Sequence, residues 1–281
     1  MRKEQDMVNF HSEKISEHVI RIYGLTGEQM YLVTGSQRAA LIDTGSGAGS
    51  LRDYVETLTD KPVIVLLTHG HVDHAMGAPE FDTVYMNRKD DYIYTEHCDL
   101  ALRKEYLSQA PEFGKVAEED YIPAASADSF HNMSEGDVFD LGSLSIEIYD
   151  CPGHTQGSVC MLLKEERALL TGDACNTFVF LFDDYSTGVS TYEKSLEELK
   201  AKTAGKFDRI YLSHGPGREY PVELLDEVIE VCKDIRHGDV DDQPFVFMGK
   251  KAFIARETEA DNRRSDGKLG NIVYNRERIT E

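Results

Sequence analysis

A run of five apolar residues at 63–67 leads directly into a loop that is unusually rich in histidine. The run is too short for a helix and too uniformly apolar for a strand with one solvated face. It therefore predicts a central strand that is covered on both faces. Because a loop at the end of a buried strand is held by a rigid scaffold, we expect the chemistry of this chain in residues 68–74.

This loop places three imidazoles and one carboxylate within six residues: His69, His71, Asp73 and His74. Residues two apart in an extended or turning loop project to the same side, so His69 and His71 can bind one cation while Asp73 and His74 face a neighbouring one. Imidazole nitrogen and carboxylate oxygen suit zinc, iron or manganese, and the lack of thiolate argues against a structural zinc site. The loop therefore indicates a catalytic metal, the alternative being a solvent-exposed turn.

Three further segments combine glycine with a residue that can bind metal. They are residues 151–158 with His154, residues 171–174 with Asp173, and residues 213–217 with His214. Each lies just past a predicted strand, and glycine permits the sharp turns that aim strand-end side chains at a common point. An exposed turn becomes a much weaker explanation for the histidine loop.

Taken in order along the chain, these motifs resemble the five motifs of the metallo-β-lactamase superfamily. Asp43, in the sequence Ile-Asp-Thr-Gly, supplies the remaining motif, and the resemblance covers about residues 19–217. It implies an α/β fold, an αβ/βα sandwich of two mixed β-sheets flanked by helices. It also implies a dinuclear metal site in a groove at one edge of the two sheets.

The resemblance implies a role for each motif residue. The ligands of the first metal are His69, His71 and His154, those of the second are Asp73, His74 and His214, and Asp173 bridges the two. Asp43 is expected to support the metal loop from behind without binding metal, an ordinary turn cap being the alternative. The implied cofactors are two divalent metal ions, zinc first, with iron or manganese as alternatives.

The identity of the bridging residue narrows the expected function. Asp173 stands where zinc β-lactamases of the commonest type have cysteine, and the whole ligand set resembles those of glyoxalase II and the acyl-homoserine lactonases. We expect a dinuclear metal-dependent hydrolase of a small ester, thioester or lactone, with a metal-bridging hydroxide as nucleophile and Asp73 as a candidate acid. The alternatives are a phosphodiester or β-lactam hydrolase of the same fold, a di-iron-type oxidoreductase, and a non-catalytic metal-binding protein.

Three residues are candidates for substrate contacts. Asn176 lies three residues after Asp173, where the homoserine lactonases have a tyrosine, which weighs against a strict lactonase. Arg218 is a candidate partner for a substrate carboxylate, with a surface salt bridge as the alternative. Tyr92 lies in a helical segment that could cap the groove, with packing against the body as the alternative.

The remaining pattern predicts one domain over residues 1–281 with two additions. The first is a helical insertion at about 87–123, in which we expect buried side chains at Tyr92, Leu100, Leu102, Tyr106 and Leu107. The second is a C-terminal extension at about 221–281, with a helix to about 233 and a hairpin formed by residues 245–255 and 271–274. The five histidines outside the motifs are expected at the surface or satisfied in the core: His11, His18, His97, His131 and His237.

Composition narrows the class of partner. The net charge of −21 repels phosphate backbones, so we expect a small-molecule substrate and no nucleic acid. No run approaches the roughly 18 to 20 apolar residues of a membrane span. The polar N-terminus at 1–12 lacks a secretory signal, so we expect a cytoplasmic protein. Five scattered cysteines indicate neither a disulfide framework nor a thiolate zinc site, and a homodimer is left open.

Overall fold

The structure is a computed structural model that describes residues 8–111 and 113–280. Within it the chain divides into two compact units, one ending at Ile146 and the other beginning at Glu147. The single domain stays a prediction, and the part of the polar N-terminus up to residue 7 lies outside the described residues. Among the helices of the described ranges, none is both long and apolar enough to cross a bilayer; the cytoplasmic location stays a prediction.

The first unit contains a seven-stranded mixed sheet whose strands lie in chain order. They are β1 (His11–Lys14), β2 (Val19–Tyr23), β3 (Gln29–Thr34), β4 (Ala39–Ile42), β5 (Val63–Leu66), β6 (Val84–Met86) and β7 (His131–Asn132). β1 to β4 pair antiparallel, and β4 to β7 pair in parallel. A further short strand of this unit is β8 (Val138–Asp140).

β5 is an interior strand of this sheet, between β4 and β6. Val65 and Leu67 belong to the main apolar cluster of the unit, while Leu66 points to the opposite face and is also fully buried. The prediction of a central strand covered on both faces is therefore confirmed, although its first two residues are only half-buried.

Four α-helices accompany this sheet: α1 (Leu51–Leu58), α2 (Val72–Ala75), α3 (Asp91–His97) and α4 (Leu100–Leu107). α1 begins after Ser50, whose hydroxyl accepts a hydrogen bond from the Asp53 N–H. Single 3₁₀ turns occur in the two units at Ala78–Glu80, Arg88–Asp90, Phe113–Lys115, Glu118–Asp120, Ala127–Ser129 and Arg276–Arg278.

The predicted burial of the segment 87–123 is partly wrong. Leu107 is fully buried, and Leu102 and Tyr106 are half-buried, but Tyr92 is 48% exposed and Leu100 is 36% exposed. α3 and α4 are only seven and eight residues long, and α3 buries the adjacent pair Ile93 and Tyr94, so Tyr92 turns to solvent. Leu100 is the first residue of α4, one turn before the buried positions of that helix.

The second unit contains two sheets and two long helices. One sheet has the order β13-β11-β10-β9, built from β9 (Ser145–Asp150), β10 (Val159–Leu163), β11 (Ala168–Gly172) and β13 (Arg209–Leu212). The other has the order β12-β16-β15-β14, built from β12 (Val179–Leu181), β14 (Gln243–Phe247), β15 (Lys250–Ile254) and β16 (Ile272–Tyr274). The helices are α5 (Val189–Thr203) and α6 (Glu223–His237).

The C-terminal part differs in detail from the expected hairpin. Residues 245–255 are themselves part of a tight hairpin of β14 and β15, turned at Met248 and Gly249, which both have positive φ. β16 then pairs antiparallel with β15 and parallel with β12. α6 continues to His237, beyond the predicted end at about 233, and the next residue, Gly238, has the left-handed conformation that favours glycine.

Candidate metal centre

The histidine loop of the first unit begins where β5 ends and runs into the short helix α2. His69 and His74 are fully buried, Asp73 is almost so, and His71 is half-buried. The Nε2 atom of His69 lies 3.1 Å from the Nδ1 atom of His71. Two nitrogens bound tetrahedrally at about 2.0–2.1 Å from one ion lie about 3.3 Å apart, so this pair has the spacing of two ligands of one metal.

Asp43 lies behind this loop and binds it through both carboxylate oxygens. Its Oδ1 atom accepts from the Thr68 N–H at 2.7 Å, and its Oδ2 atom accepts from the Thr68 hydroxyl and from His74 Nδ1, each at 2.8 Å. Asp43 is 1% exposed and has a φ of 61°, a left-handed conformation that aspartate tolerates better than most residues. A single buried carboxylate thus fixes both the start of the loop and the ring of His74.

These hydrogen bonds also determine which nitrogen of each ring can bind a cation. A carboxylate only accepts, so the proton of His74 lies on Nδ1 and the lone pair on Nε2. The Thr68 hydroxyl donates its only proton to Asp43. It therefore acts as the acceptor in its hydrogen bond with His69 Nδ1, in which the two atoms are 3.0 Å apart. His69 therefore also has its lone pair on Nε2, the atom that approaches His71.

Asp73 is held by a residue from the helical segment. The Tyr106 hydroxyl of α4 donates to Asp73 Oδ2 at 2.8 Å. Burial, followed by the charges of Asp73 and Glu28, holds the pKa of Tyr106 well above its usual range, so the phenol keeps the proton that it donates. Glu28 is itself almost fully buried, and burial together with the Asp73 charge raises its pKa.

The segment that supplies Tyr106 binds the rest of the loop as well. Asp90 accepts from the Gly70 N–H at 3.0 Å, and His97 Nδ1 accepts from the Val72 N–H at 3.1 Å while its ring stacks on His71. The buried Arg103 donates to the Ser46 and Gly47 carbonyls, just past Asp43. Sequence reasoning missed these contacts, because their partners are distant in the chain and no motif marks them.

The second unit presents His154, Asp173 and His214 on three separate loops. His154 follows β9, and its Nδ1 atom donates to the Phe180 carbonyl at 2.7 Å, which leaves the lone pair on Nε2. That Nε2 atom lies 3.7 Å from Asp173 Oδ2. His214 Nε2, beyond the end of β13, lies 3.5 Å from the same oxygen. Asp173 thus lies between two imidazoles, an arrangement suited to a carboxylate that serves two cations.

Close packing explains the glycine beside His154. A Cβ atom at Gly153 would lie 2.1 Å from the ring of Tyr192, which is fully buried in α5 and donates to the Ala174 carbonyl. Only glycine allows the loop to pass this ring, so the glycine that the sequence places next to His154 is required by packing. Cys151 and Cys175, close in sequence to His154 and Asp173, are buried free thiols.

The three candidate substrate residues have different surroundings. Asn176 is buried and its side-chain oxygen accepts from the Phe178 N–H at 2.7 Å, so it caps its own turn. Arg218 is exposed. Tyr92 lines an open depression of the first unit together with Thr95 and Ser126. Their roles in substrate binding stay predictions.

Comparison with known proteins identifies the family. The family sequence model of the metallo-beta-lactamase superfamily matches residues 23–214 of this chain, which therefore belongs to that superfamily. The mixed sheets flanked by helices, together with the solved relative below, confirm the predicted α/β fold class.

Three similar proteins illustrate the range of the family. The acyl-coenzyme A thioesterase MBLAC2 of Gallus gallus is 29% identical over 161 residues, which cover 51% of this chain and 56% of that protein. The hydroxyacylglutathione hydrolase GloC of Haemophilus influenzae is 27% identical over 64% of this chain and 81% of its own length. A solved metallo-beta-lactamase from Pontibacter korlensis superposes with a TM-score of 0.55 at 18% identity, over 79% of this chain and 98% of that one. The chain therefore spans little more than half the length of the first of these relatives.

Proposed function

We propose that this chain is a metal-dependent hydrolase of acyl thioesters, with simple esters and lactones as the neighbouring substrate classes. The observation that carries the proposal is the ligand loop of the first unit, in which buried hydrogen bonds set both His69 and His74 to present Nε2. A solvated turn needs no such support. The choice of thioesters is supported by the thioesterase and the hydroxyacylglutathione hydrolase among the relatives.

The seven motif residues would hold two divalent cations. We assign His69, His71 and His154 to the first, Asp73, His74 and His214 to the second, and Asp173 to both, as the family resemblance implies. The geometry within each unit fits this assignment, since ring nitrogens and carboxylate oxygens approach one another at 3.1 to 3.7 Å. The donor set of nitrogen and oxygen suits zinc first, with iron or manganese as alternatives.

Bound cations supply Lewis acidity toward the acyl carbonyl and lower the pKa of a water molecule. The chain's own residues orient the reaction around them. Asp43 keeps the His74 ring and Thr68 in place, and Tyr106 holds Oδ2 of Asp73. In hydrolysis the water oxygen bonds to the acyl carbon and the carbon–sulfur bond breaks. We assign to Asp73 the transfer of the water proton to the leaving sulfur.

The partners of the chain follow from the same proposal. A small-molecule thioester is the proposed substrate, and the net charge of −21 supports the exclusion of nucleic acid. A homodimer stays a prediction.

The experiment is a substrate panel on metal-free and reconstituted protein. Thioesters, lactones, phosphodiesters and a β-lactam are offered before and after chelation, and again after addition of zinc, iron or manganese. We expect thioester turnover that disappears on chelation and returns with metal. His71→Ala should abolish it, whereas His237→Ala, an exposed histidine at the end of α6, should leave it unchanged. Tight metal binding without turnover of any thioester, or metal-dependent oxygen uptake, would contradict the proposal.

A further inference from the structure

Five phenylalanine rings share one face of the second sheet of the second unit. Phe178, Phe180 and Phe182 alternate along β12 and its flanks, and Phe245 and Phe247 come from β14. We call these five residues the phenylalanine face. Phe180 is its centre, because its ring contacts each of the other four at centroid distances of 5.1 to 5.9 Å.

The opposite side of β12 is ordinary core. Val179 and Leu181, which alternate with the three phenylalanines, are buried in the main apolar cluster of the unit. On the phenylalanine face only Phe182 is fully enclosed, and the other four rings are partly buried and pack against its cluster. Large aromatic rings that pack together and keep part of their surface open to water can bind an apolar ligand.

β12 connects this face directly to a proposed metal ligand. β12 is an edge strand, and the Val179 N–H donates inward to the Asn271 carbonyl. The next residue, Phe180, points its carbonyl outward, where it accepts from His154 Nδ1 at 2.7 Å. The central residue of the phenylalanine face is therefore also the residue that orients His154.

The chemistry of the face selects its ligand. The buried residues that pack with Phe182 are Ala252, Ile254 and Val273, so the rings lie on an apolar base. The nearby Lys250 is engaged with both oxygens of Asp183 at 2.7 Å. An alkyl or aromatic group would gain apolar contact with several rings here.

We propose that the phenylalanine face is the subsite for the acyl group of the substrate, and that this group is an apolar alkyl or aromatic chain of medium or greater length. This inference rests on the proposed thioesterase function and specifies its substrate class. It assigns the uncharged half of the thioester to the second unit. It also predicts discrimination against short and hydroxylated acyl groups, which cannot cover the rings.

The test compares acyl chain lengths on one uncharged thiol, with acetyl, hexanoyl and dodecanoyl thioesters of N-acetylcysteamine. The variant is Phe245→Ala, far from His154 in sequence, and the matched control is Val246→Ala, on the same strand but the opposite face and 63% exposed. We expect kcat/KM of the reconstituted wild-type protein to rise with chain length. Phe245→Ala should lose about tenfold on the dodecanoyl ester and remain within about twofold on the acetyl ester, because apolar subsites act in steps of this size. An unchanged chain-length profile in Phe245→Ala overturns the proposal.

A binding measurement separates this proposal from the proposed function. Calorimetric titration with the non-hydrolysable dodecyl thioether of the same thiol is independent of turnover. If no thioester is hydrolysed yet the thioether binds wild type and not Phe245→Ala, the subsite stands and the thioesterase function fails. If Phe245→Ala does not fold, Phe245→Leu keeps an apolar side chain and takes its place. Should sedimentation show that the substitution dissociates a dimer without altering chain-length selectivity, the face is an interface between copies and the proposal is wrong.

Discussion

The two groups of proposed ligands are built in different ways. In the first unit four proposed ligand residues lie within six residues, on one loop and the short helix α2 that follows it, and the side chain of Asp43 fixes this segment from behind. In the second unit three ligand residues come from three loops, and His154 is oriented by a main-chain carbonyl. The ligand residues of the first unit form a local motif that can be recognised in the sequence, and a single substitution at Asp43 should disturb it. The three ligand residues of the second unit are far apart in the sequence, and their positions depend on the strands that precede their loops.

Replacement of Asp173 tests the dispersed group most severely. Both His154 and His214 approach its Oδ2 atom, so Asp173→Ala removes the carboxylate that we assign to both ions. We expect loss of both equivalents of metal by elemental analysis and a fall in kcat/KM of more than about 10³-fold, since removal of one electrostatic stabiliser already costs about 10²–10³. The control is Asp184→Ala, an exposed acid of the same unit. Retention of two metal equivalents in Asp173→Ala would contradict the bridging role.

Two variants compare the side-chain support of His74 by Asp43 with the main-chain support of His154 by the Phe180 carbonyl. Asp43→Asn keeps the shape and the left-handed backbone but removes one acceptor from Thr68 or His74, and should weaken metal binding about 10- to 100-fold. Phe180→Leu leaves the carbonyl that orients His154, so metal affinity should stay within about twofold. Competition with a chromogenic chelator measures both. An equal loss of metal affinity in the two variants would contradict the proposed difference between the units.

Tyr106 supports the histidine loop of the first unit from the helical segment. Tyr106→Phe removes the hydrogen bond to Asp73 Oδ2, and a hydrogen bond to a charged group is worth about 1.5–3 kcal/mol. We expect kcat to fall about tenfold, with KM and metal content nearly unchanged. Glu105→Gln, an exposed residue of the same helix α4, is the control. If both substitutions act alike, Tyr106 has no specific role at Asp73.

The smallest effect concerns Glu28, a buried acid near the ligand loop. Burial, aided by the Asp73 charge, raises its pKa above the usual 4.5. Below pH 4.5 the carboxyl is protonated in both states, whereas above it the unfolded state ionises first, so stability falls as pH rises toward the raised pKa. The melting temperature of Glu28→Gln relative to wild type should therefore increase as the pH is raised from 4.5 to 8. A difference that is independent of pH would show that folding does not raise the pKa of Glu28.

The features that could be predicted from the sequence are those carried by residues close together in the chain. The apolar run that became β5 and the ligand spacing of the following loop are readable because neighbouring residues carry the whole pattern. The glycines beside the dispersed ligands were readable for a similar reason, since Gly153 meets a packing limit that only glycine satisfies.

The contacts that depend on tertiary structure were not readable. Tyr106 and Arg103 bind partners 33 and 56 or 57 residues away, and no motif predicts such pairs. Burial in the short helices α3 and α4 was wrongly assigned for Tyr92 and Leu100, because fewer than three turns give a weak periodic signal. The three-residue strand β12 shows too little alternation to detect, and the hairpin turn at Met248 lacks the Asn-Gly signature of such turns.

The burial of the cysteines has a practical consequence for enzymology. Cys151, Cys160, Cys175 and Cys232 are buried. A hydrogen bond with Cys151, followed by burial, raises the pKa of Cys160, and burial raises the pKa of Cys175 and Cys232, so few reactive thiolates form at neutral pH. Cys98 is only partly covered. A colorimetric disulfide reagent added to the native protein should therefore report the thiol released from a substrate against a background of at most one protein sulfhydryl, so turnover can be followed continuously.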